Sequence, residues 1–362
     1  MLINLKAAKR HLLQLLAGKS QTAPVPVEIL PYLVNWLIKA RLGAAAYNLF
    51  ADDFPDMQVV LQGVYYTNVY RDTVQRKVFL QIAEKLDPAK TEIVLLKGLA
   101  VSPLAWDEPY LRFKADVDFL VRRKDLQAVH EILHEMEFAY KKPDKIKAYF
   151  PDLPPTNKEG QIEMVSPTVD RVQVEAHTEI FVGHVQRLTN RRIEDELWER
   201  KVPADIHISP AGGDDEVRFW RLSNEDLVLH TMIHTAINHQ FDPNTLRNML
   251  DVLRLNDQLS IDWDVVHDRV VHMRTRTAVW LFLHLMSEIF EGLPAEIDRV
   301  YQRLRPTWLR RSLLSRYINE DMVLNLYDIL IYARRYGLLL LLIDRPVDML
   351  KVLIRLPQLL QD

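Results

Sequence analysis

The chain of 362 residues contains no cysteine, which is the most restrictive feature of its composition. Without cysteine the protein can form no disulfide, hold no metal through thiolates and use no thiol as a nucleophile. Long apolar runs are also missing, because the longest, at 337–343, is far shorter than the roughly 20 residues of a membrane-spanning helix. The N-terminal run MLINLKAAKRHLLQLL lacks the continuous apolar core of a signal peptide. We therefore expect a cytoplasmic protein.

The sequence also lacks a strong excess of either charge. Its formal net charge is -3, and 48% of its residues are hydrophobic while 26% are charged. A chain so close to neutral has no global positive field with which to hold the phosphates of a long nucleic acid. The balance of apolar and charged residues excludes a disordered chain and is typical of a globular protein with two or three packed units.

Hydrophobic patterning divides the chain into three segments. Residues 1–88 have helical periodicity, residues 89–220 mix strand-like and helical runs, and helical periodicity returns in residues 221–362. This order predicts an α+β fold. We expect a small mixed β-sheet core flanked by N-terminal helices and a C-terminal helical domain.

Within these segments the local periodicity predicts individual elements. Helices are expected at 2–17, 27–50, 57–86, 98–105 and 126–136, and strands at 92–96, 115–121, 161–165 and 171–177. Four prolines between residues 141 and 160 predict a loop there. Ser223 is expected to cap the helix that follows it, with an acidic residue at the third helical position.

Two aspartates, Asp116 and Asp118, interrupt an otherwise apolar run. Side chains alternate along a strand, so both carboxylates point to one face while their apolar neighbours point to the other. Two crowded carboxylates are costly unless a cation neutralises them. The pattern therefore predicts a divalent metal site, and magnesium is the ion that we expect.

A third carboxylate follows on a later predicted strand. In the run RVQVEAH, alternation places Glu175 on the face opposite to the valines. Glu175 is therefore in a suitable position to join Asp116 and Asp118 across a sheet, while Glu163 and Glu179 are the alternatives for this third position. Three carboxylates can hold two magnesium ions, which is the arrangement used for in-line phosphoryl or nucleotidyl transfer.

Cationic residues accompany the acidic ones. Lys97 and Gly98 lie between a predicted strand and a predicted helix, where a glycine lets backbone N–H groups approach phosphate at the positive helix end. Lys97 or Arg112 can neutralise a leaving pyrophosphate. Each has a structural alternative, because Lys97 can be a surface lysine and Arg112 can pair with Asp116 or Asp118.

The C-terminal third carries spaced histidines. His230 and His234 are four residues apart on a predicted helix and face the same way. We do not predict zinc, because the sequence has no HExxH pattern and fixes no third ligand. His239, five residues after His234, is expected to point away from the face that His230 and His234 share. His234 is expected to line a cleft beside the predicted sheet. There it would contact a phosphate or the acceptor of the transferred group, and a packing role is the alternative.

The last predicted helical region, 338–360, combines a leucine-rich run with basic residues. An amphipathic helix on a membrane surface is one interpretation. Pro346 interrupts such a helix, however, and Asp344 and Asp348 dilute its basic face. We expect this region to pack against the body of the protein or a second subunit.

Three motifs together resemble a known family. LLKGLAVSPLAW, LRFKADVDFLV and VQVEAHTEIF are similar to the LKG strand-helix turn, the DxD segment and the acidic-x-His strand of that family. It is the uncharacterised bacterial nucleotidyltransferase-like family of the DNA polymerase beta superfamily. The similarity covers roughly residues 30–300 and includes the helical region with the spaced histidines.

The resemblance implies a catalytic core that binds magnesium and a nucleoside triphosphate. It places the site on Lys97, Gly98, Arg112, Asp116, Asp118 and Glu175. The implied reaction transfers a nucleoside monophosphate to an acceptor small molecule, protein or RNA, and a catalytically inactive nucleotide-binding or regulatory module is the alternative. Two features depart from the superfamily: Leu99 replaces the usual serine after the glycine, and the spacing from Gly98 to Asp116 is longer than in compact members.

Overall fold

The computed structural model describes residues 5–19, 27–47, 55–86, 91–149, 151–157, 160–167, 170–180, 193–204, 219–326 and 332–359. These residues form two compact units. The first contains the described residues up to Tyr65 and those from Val228 onwards, and the second contains those from Tyr66 to Leu227. The division of the sequence into three consecutive segments stays a prediction.

A seven-stranded mixed sheet lies in the second unit. Its strands are β1 Val94–Leu95, β2 Asp116–Leu120, β3 Ala139–Tyr140, β4 Ile162–Val165, β5 Gln173–His177, β6 Val202–Pro203 and β7 Trp220–Arg221. Their order across the sheet is β3-β4-β5-β2-β1-β7-β6. β2 is parallel to β5 and β1 is parallel to β7, while the other neighbouring pairs are antiparallel.

Helices precede and follow the sheet along the chain, which confirms the predicted fold class. They are α1 Leu5–Leu16, α2 Leu30–Lys39, α3 Gly43–Ala46, α4 Pro55–Lys85, α5 Lys97–Ala105, α6 Leu126–Glu135, α7 Glu194–Arg200, α8 Asn224–Ile233, α9 Thr245–Gln258, α10 Trp263–Met273, α11 Arg276–Ile289, α12 Ala295–Arg303, α13 Trp308–Tyr317, α14 Glu320–Leu324, α15 Tyr332–Leu342 and α16 Pro346–Leu359. A π-helix at His234–Asn238 continues α8. Ser223 caps α8 as predicted, since its Oγ accepts a hydrogen bond of 3.3 Å from the backbone N–H of Asp226.

The stretch 27–50, predicted as a single helix, is broken. Its α2 ends at Lys39, and α3 begins only at Gly43. Arg41 between them has φ 62°, in the left-handed region that ends helices. A Cβ on Gly43 would lie only 3.1 Å from Val64 Cγ1, so the glycine allows the new helix to approach α4 closely.

The apolar side of β2 anchors the sheet. Val117 and Phe119 are fully buried, and the Phe119 ring lies 6.0 Å from that of Phe79 on α4. Burial of one large apolar side chain contributes about 1.5 to 3 kcal/mol to the free energy of unfolding. Because side chains alternate along the strand, this packing directs Asp116 and Asp118 to the opposite face.

The C-terminal region packs against the body of its own chain, which is one of the two arrangements expected for it. α15 ends at Leu342 and α16 begins at Pro346, so the proline does separate two helices. Buried Val352 on α16 forms a small apolar cluster with buried Ile343. Asp344, between the helices, accepts hydrogen bonds from the backbone of α11. Among the helices that the structure describes, none has the length and apolar character to cross a membrane.

Candidate functional site

Three adjacent strands of the second unit bring the predicted charged residues together. In the parallel pair β2–β5, Asp118 lies directly opposite Glu175, and Asp116 lies opposite Gln173. On the other side of β2, the backbone N–H of Leu96 donates a hydrogen bond of 3.1 Å to the carbonyl of Asp118. The chain therefore leaves β1 beside Asp118, and Lys97 is its next residue.

Lys97 links the two facing carboxylates. Its Nζ lies 2.6 Å from Asp118 Oδ1 and 3.4 Å from Glu175 Oε2. Only 18% of the lysine side chain is exposed, so the surface-lysine alternative is wrong. Lys97 also has φ 44°, a left-handed backbone conformation that costs a residue with a Cβ about 1 to 2 kcal/mol. The strand-helix turn thus holds this ammonium against the acids at an energetic cost.

His177 completes the cluster, although no site role was predicted for it from the sequence. Its Nε2 lies 3.0 Å from Asp118 Oδ1 and 3.6 Å from Glu175 Oε2, and the imidazole is buried. The signal in the sequence was its spacing, since residues two apart on a strand share a face. His177 therefore had to lie on the same side of β5 as Glu175.

Burial and mutual repulsion shift the pKa values of these groups. Desolvation, followed by the charge of Asp118, raises the pKa of Asp116. Desolvation also raises the pKa of Asp118, and Lys97 only partly opposes it. Burial acts on Glu175 in the same direction, but the opposing influences, of which the charge of Lys97 is the largest, outweigh it, so the pKa of Glu175 is lowered. Desolvation disfavours the charged form of Lys97, yet the surrounding carboxylates outweigh it and the pKa of Lys97 is raised.

The cluster fits a divalent cation. Asp118, Glu175 and His177 place one potential ligand atom each within 4.8 Å of one another, and the described residues contain no other such group of three. Asp118 Oδ2 is buried, and no hydrogen-bond partner within the described part of the chain reaches it. Ionised Asp116, Asp118 and Glu175 would also exceed the charge of Lys97 by two. Oxygen donors with excess negative charge suit magnesium.

The two alternative acids have other partners. Glu163 lies opposite Glu175 across the antiparallel pair β4–β5, but its Oε1 forms an ion pair of 2.7 Å with Lys141. Glu179 is buried and interacts electrostatically with Arg123. Glu175 is thus the acid that lies in the cluster with Asp118.

Position 98 requires a glycine because neighbouring side chains pack too closely against it to leave room for a Cβ. A Cβ at this position would lie 2.6 Å from Lys114 Cγ and 3.1 Å from Arg112 Nη1. Lys114 is buried in an ion pair with Asp72, and burial lowers its pKa to about 8. Arg112 is buried as well and donates a hydrogen bond of 3.5 Å to the carbonyl of Phe113. The glycine and the arginine were predicted from the sequence, but Lys114, whose side chain packs against Gly98, was not.

His234 belongs to the first unit, in a cluster of histidine rings. Its ring centroid lies 5.5 Å from that of His230 and 4.4 Å from that of His239. The expectation that His239 points away is wrong, because the backbone N–H of His239 bonds to the carbonyl of His234 five residues earlier. This π-helical turn is wider than an α-helical turn and returns His239 to the same face.

The raised pKa of Asp116 predicts how the stability of the metal-free protein depends on pH. Its pKa rises from 3.8 to about 8, so the folded state holds this proton more tightly than the unfolded state. That contribution to stability is present at low pH and is lost as the pH rises towards 8. We expect the melting temperature in EDTA to fall between about pH 5 and pH 8. Asp116→Asn should flatten this fall, and Glu163→Gln should not; an unchanged slope in Asp116→Asn would contradict the assignment.

Comparison with known sequences gives one match. The sequence model of a family described as "Uncharacterised nucleotidyltransferase" matches residues 29–291, which include every strand of the sheet. No curated protein matches the chain, and no solved structure matches it.

Proposed function

The chain belongs to this family of uncharacterised nucleotidyltransferases, and on that premise we propose that it transfers a nucleoside monophosphate from a nucleoside triphosphate to an acceptor, using magnesium held by Asp116, Asp118 and Glu175. The observation that carries the proposal is the in-register pairing of Asp118 with Glu175, together with a buried Asp118 oxygen that lacks a hydrogen-bond partner. An arrangement of this kind on one sheet face supports metal-assisted phosphoryl chemistry.

The acidic residues and Lys97 have different roles in the proposed reaction. When bound, magnesium would neutralise the triphosphate and lower the pKa of the attacking acceptor group. Asp116, Asp118 and Glu175 would hold it: Asp118 and Glu175 have ligand atoms within 4.8 Å of each other, and Asp116 lies two residues from Asp118 on the same face of β2. Lys97 lies next to these acids and supplies the cation for the charge of the leaving pyrophosphate.

Gly98 and Arg112 form the second part of the proposed nucleotide site. Gly98 lies in the first turn of α5, where backbone N–H groups and the positive end of the helix favour an anion, and Arg112 Nη1 comes within 3.1 Å of the position of a Cβ on Gly98. Leu99 supplies no hydroxyl in this turn, so we propose that Arg112 and the backbone of Gly98 hold the phosphates instead.

The reaction is tested with nucleoside triphosphates that carry the label at a defined phosphate. Purified protein is incubated with magnesium, lysate fractions and each triphosphate in turn. We expect transfer of an α-phosphate label, with release of pyrophosphate, and no transfer of a γ-phosphate label. Transfer of the γ label would show a kinase and would contradict the proposal.

The inactive nucleotide-binding or regulatory module remains the second candidate. One observation favours it: Lys97 Nζ already contacts both Asp118 and Glu175, so an ammonium partly neutralises the cluster. The two candidates differ in their need for metal. An enzyme should bind a triphosphate more tightly with magnesium than with EDTA, whereas a module neutralised by Lys97 should bind it equally well in both.

We also propose that His234 contacts phosphate or the acceptor. His234 is half-buried, whereas His230, one turn earlier, is buried. His234→Ala should therefore lower turnover with little change in melting temperature. His230→Ala provides the matched control, because loss of a buried ring should cost about 1 to 3 kcal/mol of stability. A destabilised His234→Ala with normal nucleotide affinity would contradict the proposed role.

A further inference from the structure

We propose that His177 is a positioning residue for Asp118 and not a ligand of the metal. This inference rests on the proposed metal site at Asp118. It assigns His177 the neutral form with the proton on Nε2, which donates to Asp118 Oδ1 and leaves Oδ2 to face the cation. His177 lies close enough to ligate a metal, so its role depends on which ring nitrogen carries the proton.

A chain of hydrogen bonds that starts at a backbone N–H fixes that proton. The backbone N–H of Gln161 can only donate, and it donates over 3.0 Å to the side chain of Asn157, which must present Oδ1. Asn157 therefore presents its Nδ2 at the other end of the amide. That group donates to Gln161 Oε1 at 3.3 Å.

The same logic continues into the imidazole. With Oε1 of Gln161 accepting from Asn157, its Nε2 faces His177 and donates to Nδ1 over 2.9 Å. Nδ1 of His177 is therefore an acceptor without a proton. The proton of the neutral ring lies on Nε2, which points at Asp118 Oδ1 over 3.0 Å. An Nε2 that carries a proton has no lone pair for a metal.

This chain of hydrogen bonds, from Asn157 through Gln161 and His177, gives the two oxygens of Asp118 different roles. Oδ1 accepts from Lys97 Nζ at 2.6 Å and from His177 Nε2 at 3.0 Å. Oδ2 is buried, and no residue that the structure describes bonds to it. Two donors on one oxygen prevent rotation of the carboxylate and hold the other oxygen in one direction. A carboxylate that is fixed before the metal arrives loses less entropy on binding it.

The tautomer is measured in the metal-free protein by NMR, with ¹⁵N-labelled histidine and with His177→Gln to assign the signals. We expect protonated Nε2 and unprotonated Nδ1. Asn157→Asp removes the donor to Gln161 while preserving shape, so the amide of Gln161 should turn over and place a proton on Nδ1. A wild-type ring protonated on Nδ1, whether alone or together with Nε2, or a tautomer that Asn157→Asp leaves unchanged, would overturn the inferred chain of hydrogen bonds.

Metal affinity separates positioning from ligation. Gln at position 177 can still donate to Asp118, whereas Leu cannot, so His177→Leu should weaken Mn²⁺ binding about 10-fold to 100-fold and His177→Gln should retain most of it. Pulsed electron paramagnetic resonance of bound Mn²⁺ detects a coordinated ring nitrogen directly. We expect no such nitrogen in the wild type, and its detection would overturn the inference.

These readouts also distinguish the inference from its premise. If the wild-type protein binds no Mn²⁺ at all, the proposed metal site fails, while the tautomer measurement on the metal-free protein still tests the inferred chain of hydrogen bonds. If Mn²⁺ binds and His177→Leu binds it as tightly as the wild type does, the metal site survives and the positioning role is wrong.

Discussion

Asp118→Asn is expected to abolish nucleotidyl transfer while leaving the fold intact. Asp118 lies at the centre of the cluster. It contacts Lys97 and His177, and it lies directly opposite Glu175 on the neighbouring strand. An asparagine oxygen can still accept the hydrogen bonds from Lys97 and His177, so local packing is preserved. The amide cannot supply the negative charge that holds magnesium, and we expect a loss of at least about 10³-fold in kcat/KM.

Stability and activity are expected to move in different directions in this variant. Desolvation raises the pKa of Asp118, which means that its ionised form is unfavourable in the metal-free protein. The melting temperature of Asp118→Asn in EDTA at neutral pH should therefore equal or exceed that of the wild type. Glu163→Gln is the matched control, since Glu163 lies one strand further on and pairs with Lys141. Full activity in Asp118→Asn would remove the proposed mechanism.

Strand alternation explains why the acidic residues could be predicted from sequence. The two-residue period of a strand is fixed by geometry, so Asp116 and Asp118 had to share a face, as did Glu175 and His177. The pairing of β2 with β5 then decided whether the two sets meet. Registers are specified by the buried apolar face, and the observed register pairs Val117 with Val174 and Phe119 with Ala176, so that the apolar positions of both strands are buried together.

Other features depend on contacts that no local pattern contains. Lys114 lies next to Gly98 because helix α5 and the segment before β2 pack together, and a single lysine in the sequence does not indicate burial. The π-helical turn that brings His239 back to His234 is a one-residue insertion in an otherwise regular helical pattern. The sequence likewise does not indicate that the N-terminal helices join the C-terminal ones in one unit.

The proton on His177 was equally inaccessible to sequence reasoning. The spacing of Glu175 and His177 predicts a shared face, and either nitrogen of the imidazole could then serve as donor or ligand. Only the orientation of Gln161, which depends in turn on Asn157, distinguishes the two. Hydrogen-bond donors fixed by backbone geometry therefore carry information about the site that residue identity does not.

Lys97→Met is expected to have the largest effect on stability. It keeps an unbranched side chain of similar length but removes the ammonium that lies 2.6 Å from Asp118 and 3.4 Å from Glu175. Breaking a buried ion pair by removing one partner costs about 3 to 5 kcal/mol. The pKa of Lys97 is raised above 10.5, so the wild-type lysine stays charged throughout the neutral range and its contribution is lost only at higher pH.

Magnesium should rescue this variant more than it stabilises the wild type. With Lys97 gone, a bound cation is the main remaining compensation for Asp118 and Glu175, so the melting temperature of Lys97→Met should rise more steeply with magnesium concentration. The variant should also lose more affinity for ATP than for AMP, because the missing charge faces the leaving pyrophosphate. Lys141→Met, on the half-exposed pair with Glu163, should change both quantities little. Equal losses for the two nucleotides would show that Lys97 acts structurally, and an unchanged melting temperature would show that it does not neutralise the acids.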